Sequence, residues 1–326
     1  MNRPHTRVLA ELFMALAAAS PSLSAAGEDA DPEAQQLINQ MSRAVRDLNY
    51  DGVFIYRRNR EMDTMRLIHK ADQRGEHERL VTLTGLPREV IRNDQSVTCI
   101  FPDDQAVMVE KSRPRKFVAQ LPEPIERIAA YYSFSVDGED RVAGRAAWIV
   151  NIKPRDLYRY GYQLWIDKEN SLLLKSELKN KSGLPVEQIM FTQLEVRNEI
   201  PDDLLKPAIS GQGYTWYYQA SAEDRTDNGD ALWHVTWMPD GFTLSNHEKQ
   251  SLVASGDPID HMVFTDGLAS VSVFIEKLHD VPQIGPAQMG AVNAFAKFAD
   301  GFQVTAVGEV PPSTVQRMVN SVVSGQ

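Results

Sequence analysis

The chain has 326 residues, 43% of them hydrophobic and 24% charged, the balance of a folded protein and not of a disordered or fibrous one. Its 34 Lys and Arg against 44 Asp and Glu give a net charge of −10, which argues against a whole-surface electrostatic grip on nucleic acid. A single cysteine, Cys99, excludes an intramolecular disulfide framework, a CxxC redox pair and a zinc site built on several thiolates.

At the N-terminus, Arg3 and Arg7 precede an apolar stretch from Val8 to Ala19, and Ser24-Ala25-Ala26 offers small residues at the −3 and −1 positions of a cleavage site. Residues 1–26 therefore read as an export signal removed in the mature protein. The apolar stretch is too short to span a bilayer, and no later one reaches eighteen residues. No cysteine directly follows the apolar stretch, so a lipid-modified N-terminus is not expected. In a Gram-negative cell the mature chain would be soluble in the periplasm.

Asp31-Pro32-Glu33 then supplies a cap, an N1 proline and a first-turn acid, and Leu37, Met41, Ala44, Val45 and Leu48 recur at helical spacing, predicting a helix from Pro32 to Leu48. The period next becomes strand-like over 52–57, 64–70, 78–83, 89–92, 97–101 and 106–110. A second helical stretch opens at Leu121-Pro122-Glu123-Pro124, with Ile125, Ile128, Ala129 and Tyr132 on one side. Strands resume at 133–136, 147–153, 162–167, 172–178 and 186–196. One curved antiparallel sheet with two helices, spanning 27–200, fits this pattern. Pro201, Pro207, Gly211, Gly213 and the polar string Glu223–Asn228 mark a linker over 201–228. A smaller domain over 229–326 reads as three hairpins turning on Asp240-Gly241, Asp266-Gly267 and Asp300-Gly301, closed by a helix over 313–323.

Residues 27–200 hold 26 Lys and Arg against 28 acids, and residues 201–326 hold 6 against 15, so the cations gather in the first domain. Arg57, Arg58, Arg60 and Arg66 cluster near one hairpin and Arg113, Arg115 and Lys116 near another. They form either a solvated rim balancing nearby acids or a mouth that attracts phosphate or an acidic peptide. Gly52–Tyr56 and Trp148–Val150 are apolar on both faces, which fits a packed core or a sheet curled around an apolar ligand.

The spacings of hydrolases and transferases are missing: there is no GxSxG, HExxH, Walker A motif or GxGxxG after a strand. His77-Glu78 and His247-Glu248 lack the second histidine of a zincin, and Asp103-Asp104 and Asp202-Asp203 suit turns better than acid–base pairs. Cys99 reads as a small buried hydrophobe. No enzyme activity, cofactor or metal centre is expected.

A family resemblance runs through Tyr50–Tyr56, Glu78-Arg79-Leu80, Arg88–Arg92, Cys99, Arg141–Arg145, Pro154-Arg155-Asp156, Arg159–Tyr162, Leu174-Lys175-Ser176 and Phe191-Thr192-Gln193. It continues through Trp237-x-Pro239-x-Gly241-Phe242, Asp266–Ala269, Ser272–Glu276 and Gly308–Pro311. In this order these segments resemble the MucB/RseB family of periplasmic negative regulators of sigma-E. One departure is Leu172-Leu173 at a turn where relatives carry Gly and Pro, and a cation-rich segment between the domains is not evident.

The resemblance implies an α+β protein: a curved antiparallel, LolA/LolB-like unclosed β-barrel with helices over its opening, then a smaller antiparallel β-rich domain with a C-terminal helix. It implies a lipid-sensing first domain and a second domain that holds the periplasmic tail of a MucA/RseA-like anti-sigma factor. Bound, the tail is shielded from regulated proteolysis, and lipoprotein or lipopolysaccharide releases it. On this reading Phe54, Tyr56, Leu67, Leu80, Ile125, Ile128, Tyr131 and Trp148 would meet acyl chains, Arg57 and Arg58 lipid phosphates, and the segment with Ile125, Ile128 and Tyr131 would form a lid. Candidate contacts for the tail are Trp233, Trp237 and Phe242, if exposed, with Asp266, Gly267, Leu268, Ser272, Phe274 and Glu276. A homodimer or higher oligomer is left open. The alternative is a carrier of lipid or lipoprotein without a regulatory partner.

Overall fold

The computed structural model describes residues 31–111, 121–209, 211–218, 233–251, 258–277 and 284–325. The segment 1–26 expected as an export signal, the cations Arg113, Arg115 and Lys116, and the polar string Glu223–Asn228 lie outside them.

Helix α1 (Pro32–Asp47) begins where the cap predicts. One carboxylate oxygen of Asp31 accepts from the backbone N–H of Glu33 and Ala34, at 3.0 and 3.3 Å, satisfying amides that a helix start leaves unpaired. Its other oxygen accepts from the Val136 N–H at 3.1 Å, so the cap also ties the helix to the sheet. Ala34, Ile38, Met41, Ala44 and Val45 form its buried stripe.

Two meanders build the first sheet. The first comprises β1 (Asn49–Arg58), β2 (Glu61–Asp72), β3 (Gly75–Thr82), β4 (Glu89–Arg92), β5 (Ser96–Phe101) and β6 (Ala106–Lys111). The second comprises β7 (Tyr132–Val142), β8 (Arg145–Pro154), β9 (Gly161–Asp167), β10 (Leu173–Lys179) and β11 (Pro185–Arg197). Pairing of β11 with β1 joins them antiparallel, with a register shift at Val53/Phe54. A short strand, β12 (Thr215–Tyr218), adds parallel to β6 and completes the order β12-β6-β5-β4-β3-β2-β1-β11-β10-β9-β8-β7. The end strands β12 and β7 do not pair with each other, so the barrel is unclosed. Helix α1 lies against β7, β8 and β9. Its apolar stripe meets Phe54, Leu67, Phe134, Val150, Ile152, Leu164 and Phe191 in one core. Gly52 is required by this packing: a Cβ there would stand 2.6 Å from the Phe191 ring.

The second sheet runs β14 (Thr243–Ser251), β15 (Pro258–Thr265), β16 (Ser270–Lys277), β19 (Phe302–Gly308), β18 (Val292–Ala299), β17 (Gly285–Met289). Helix α2 (Pro312–Asn320) packs on β18 and β19 over Val271, Val273, Ile275, Val304 and Ala306.

Three expectations are corrected. The helix expected after Leu121 is a single 3-10 turn, Ile125–Ile128, because Pro122 and Pro124 interrupt its start and Tyr132 already belongs to β7. The first Asp-Gly pair does not close a hairpin, since β13 (Trp233–Val235) pairs with β20 (Val322–Ser324) at the far end of the chain. Between Pro201 and Tyr218 the expected linker is folded in part: beside β12 it carries a 3-10 turn, Asp202–Leu205, where Asp202 pairs with Lys70 and Arg74.

Asp31→Ala removes both the cap and the tie to β7. It is expected to destabilise the protein by about 1–2 kcal/mol, read as a lower urea midpoint with an unchanged denaturant slope.

Candidate functional site

The site lies where the first sheet meets the face of the second sheet that carries Ser270, Ser272 and Phe274, opposite the core under α2. Arg159, in the β8–β9 connection, is fully buried. Its Nη1 stands 3.1 Å from Asp266 Oδ2, on the β15–β16 turn, and its Nε stands 3.2 Å from Asp156. The guanidinium also donates to the Asp240 carbonyl and lies about 5 Å from the ring centres of Tyr131 and Phe242. Tyr132 Oη donates to the same Asp266 oxygen at 2.9 Å, and burial, then the Asp266 charge, pushes this phenol well up. The other Asp266 oxygen accepts from the Leu268 and Ala269 N–H groups at 2.8 and 2.7 Å, which holds the Asp-Gly turn in place. Gly241 lies against Tyr131 so closely that any Cβ would overlap the ring.

Two further seams flank this hub. Asn293 Nδ2 donates to Tyr160 Oη at 3.0 Å, and Glu187 accepts from the Ala291 N–H at 3.0 Å. Thr314 Oγ1 donates to the Tyr158 carbonyl at 2.9 Å, Trp237 packs edge-on against Tyr158, and Arg317 covers the Trp237 ring at 4.0 Å.

Between the seams lies a cavity of about 610 Å³, within the range of small-molecule sites. Phe54, Tyr56, Met65, Leu80, Tyr162, Leu164 and Ile189 line it from the first sheet. Leu268, Ser270, Ser272, Phe274, Val292 and Val307 line it from the second, with Glu187 and Glu309 also on its wall. Burial pushes the Tyr56 and Tyr162 phenols up, so both stay protonated at neutral pH and can donate hydrogen bonds.

Of the residues expected to meet acyl chains, Phe54, Tyr56 and Leu80 line the cavity. Leu67, Ile125 and Ile128 are instead packed in the core. The segment expected as a lid is fastened to α1: the Ile125 N–H donates to Asn39 Oδ1 at 3.0 Å, and Asn39 Nδ2 donates to Glu126. Tyr131 belongs to the Arg159 hub, and Trp148 packs against the core beneath the Lys168 ammonium. Arg58 pairs with Glu61 at 3.0 Å and lies against Gly290, at the edge between domains, while Arg57 is half-buried. Arg66 pairs with Asp51 at 2.7 Å, so this part of the cluster balances neighbouring acids.

Among the residues expected to meet a partner, Trp233 and Phe242 do not meet the condition of exposure set for them. They are 7% and 4% exposed and hold the second core, because α2 and the sheet leave that interior for large apolar groups. Asp266, Trp237, Leu268, Ser272 and Phe274 turn toward the first domain. Gly267 approaches Ile128 and Pro122, and Glu276 accepts from Gln303 Nε2 at the end of β16. Residues the sequence reading left without a role are Arg159, Tyr160, Glu187, Met65 and Ile189. The signal for the first was there, an arginine three residues after Asp156 in an aromatic-rich loop, but its partner is 107 residues away.

A row that runs from Ser272 on the cavity wall into the second sheet has the order of an acyl-transfer triad. Ser272 Oγ lies 3.1 Å from His261 Nε2, and His261 Nδ1 lies 3.5 Å from Glu248. Ser272 pairs with Val263 on one side and Val307 on the other, so its strand is engaged in ladders on both edges and presents no oxyanion-binding turn. Burial, aided by Glu110, pushes the Cys99 thiol up, which disfavours the thiolate a nucleophile requires. Among the described residues no helix is long and apolar enough to cross a membrane.

The fold and the site define a two-domain β-protein whose domains jointly enclose a ligand-sized cavity. Two family descriptions match it: the MucB/RseB N-terminal domain over residues 33–209 and the MucB/RseB C-terminal domain over residues 227–323. The chain belongs to the MucB/RseB family. It is 33% identical to the sigma factor AlgU regulatory protein MucB of Pseudomonas aeruginosa, over 89% of this chain and 90% of that one. It is 28% identical to the sigma-E factor regulatory protein RseB of Haemophilus influenzae, over 92% and 94%. Among solved structures, MucB in complex with MucA(peri) superposes with a TM-score of 0.70 at 31% identity, covering 90% of this chain and 99% of that one. The Pseudomonas aeruginosa MucA/MucB complex gives 0.68 at 30% identity with the same coverage.

Asp266→Ala leaves buried Arg159 with Asp156 of its own loop and removes the acceptor of Tyr132 Oη; it is expected to cost about 3 kcal/mol, read by urea unfolding, with Asp266→Asn losing less.

Proposed function

We propose that this protein is a periplasmic regulator that binds the periplasmic tail of a MucA/RseA-like membrane anti-sigma factor and protects it from regulated proteolysis. It releases the tail when the acyl chains of a mislocalised lipoprotein or of lipopolysaccharide enter the cavity. Family membership supports the regulatory role, and relatives crystallised with MucA support the choice of partner. The observation that carries the mechanism is that the cavity wall comes from both domains. A ligand wedged between them acts on their separation, and a partner that spans both domains senses that separation. The ligand shifts tail binding only by its differential affinity for the tail-free arrangement. A carrier alone would need only the first sheet, whereas here Leu268, Ser270, Ser272 and Phe274 close the cavity from the second.

Phe54, Tyr56 and Leu80, with Met65 and Ile189, offer apolar surface to acyl chains. Arg58, near Glu187 and Gly290, is placed to meet a phosphate outside the cavity, with Arg57 beside it in β1. Trp237 and the Asp266–Glu276 segment act by holding the domain arrangement that the tail recognises.

The test is a titration of the mature protein with the periplasmic tail of its anti-sigma factor, with and without lipopolysaccharide. Saturable tail binding that weakens as lipopolysaccharide is added is expected; tail affinity that ignores lipopolysaccharide would sink the release mechanism. Ile189→Trp, which projects an indole into the cavity and obstructs it, is expected to keep tail affinity within about threefold and to weaken the lipopolysaccharide effect, measured by fluorescence anisotropy of a labelled tail.

A further inference from the structure

A second candidate site lies inside the first sheet, away from the cavity. Antiparallel pairing sets His69 of β2 opposite Glu78 of β3, and Glu78 opposite Arg92 of β4. The strand period places Glu76 on the same face as Glu78. His69 is fully buried, with its ring stacked on Tyr50 at 4.7 Å. Its Nδ1 lies 2.7 Å from the Leu48 carbonyl, which can only accept, so this nitrogen carries the hydrogen. In the neutral ring Nε2 is then a lone pair. It makes no hydrogen bond and points at two carboxylate oxygens, Glu76 Oε2 at 3.6 Å and Glu78 Oε1 at 3.9 Å.

A lone pair and two carboxylate oxygens cannot bond one another, so the point they share calls for something electron-poor. We propose that His69 Nε2, Glu76 Oε2 and Glu78 Oε1 form a site for a divalent metal ion of the zinc type, with a water completing its coordination. One imidazole and two carboxylates suit Zn²⁺, which takes nitrogen and oxygen ligands at about 2.0–2.2 Å. Bonds of that length in a tetrahedron set ligand atoms ~3.4 Å apart, and the three ligand atoms lie within 4.8 Å of one another, with His69 Nε2 at 3.6 and 3.9 Å from the two carboxylate oxygens. The outer contacts match those of metal ligands. The ring N–H is held by a carbonyl, and the second oxygen of Glu78 accepts from Arg92 Nε at 2.8 Å, fixing the carboxylate plane. Glu76, 21% exposed at its side chain, provides the route in and the arm that closes. Arg92 Nη2 stands 3.6 Å from Glu76 Oε2, so the guanidinium orients both carboxylates.

The untagged mature protein, stripped with EDTA and dialysed, is titrated with zinc chloride against a chromophoric chelator. One equivalent is expected to bind, with Glu76→Gln weakening it on the order of 100-fold while the thermal midpoint of the metal-free variant stays near that of the metal-free parent. X-ray absorption of the zinc-loaded parent, which needs no variant to fold, is expected to show a nitrogen and oxygen shell with one imidazole. Absence of saturable zinc binding, affinity unchanged by Glu76→Gln, or a sulfur shell from Cys99 would each overturn the site.

Discussion

A guanidinium out of contact with water has to be neutralised where it stands, and Arg159 is held between Asp156 of its own loop and the fully buried carboxylate of Asp266 from the other domain. The rest of the interdomain architecture follows from this. The carboxylate of Asp266 is shared with Tyr132 and with the amides of its own turn, so the turn of the second sheet is set by β7 and the β8–β9 loop of the first. Gly241 is demanded by Tyr131, which the same guanidinium covers. Neither domain completes this hub alone, which makes the seam specific as well as cohesive.

That seam explains why a large space can persist beside it. Two sheets pressed together directly would interdigitate near 10 Å apart. Here the Arg159 hub, the Asn293–Tyr160 contact and the Tyr158–Trp237 packing fasten the rims. The facing surfaces between them are left unfilled, with aromatic and aliphatic groups on both sides and the Ser270 and Ser272 hydroxyls on the second sheet. A cavity so placed is coupled to domain separation by construction. A cavity inside the first barrel alone would have no such lever on the second domain.

Much of the fold was legible because local rules and tertiary packing agree. Asp31-Pro32-Glu33 starts α1, and the meanders, the Asp266-Gly267 and Asp300-Gly301 hairpins and the start of the last helix lie where periodicity and turn chemistry place them, although that helix ends at Asn320 and not at 323, because Val322–Ser324 pairs as β20. Disagreement arose where a distant partner outcompeted a local preference. Asp240-Gly241 has the chemistry of a hairpin, yet β13 finds β20 instead. Apolar spacing after Leu121 resembles a helix, yet two prolines and the demands of β7 leave one turn. In the site, Phe54, Tyr56 and Leu80 could be read from a strand apolar on both faces. The same signal cannot distinguish them from Leu67, because a cavity wall and a packed core present identical periodicity.

The sequence by itself determined the element order, the division into two β-rich domains, the absence of the familiar catalytic spacings and the membership in a family of regulators. These depend on interactions within a few residues, or on ordered motifs that survive in the chain. Only the tertiary structure decided which residues carry the site. Arg159 and Asp266 are 107 positions apart and His69 meets Glu76 and Glu78 only through hairpin register, while the cavity exists only because two sheets face each other. Burial, ion pairing and enclosed volume are properties of surfaces brought together, and one-dimensional spacing carries no measure of how far they stand apart.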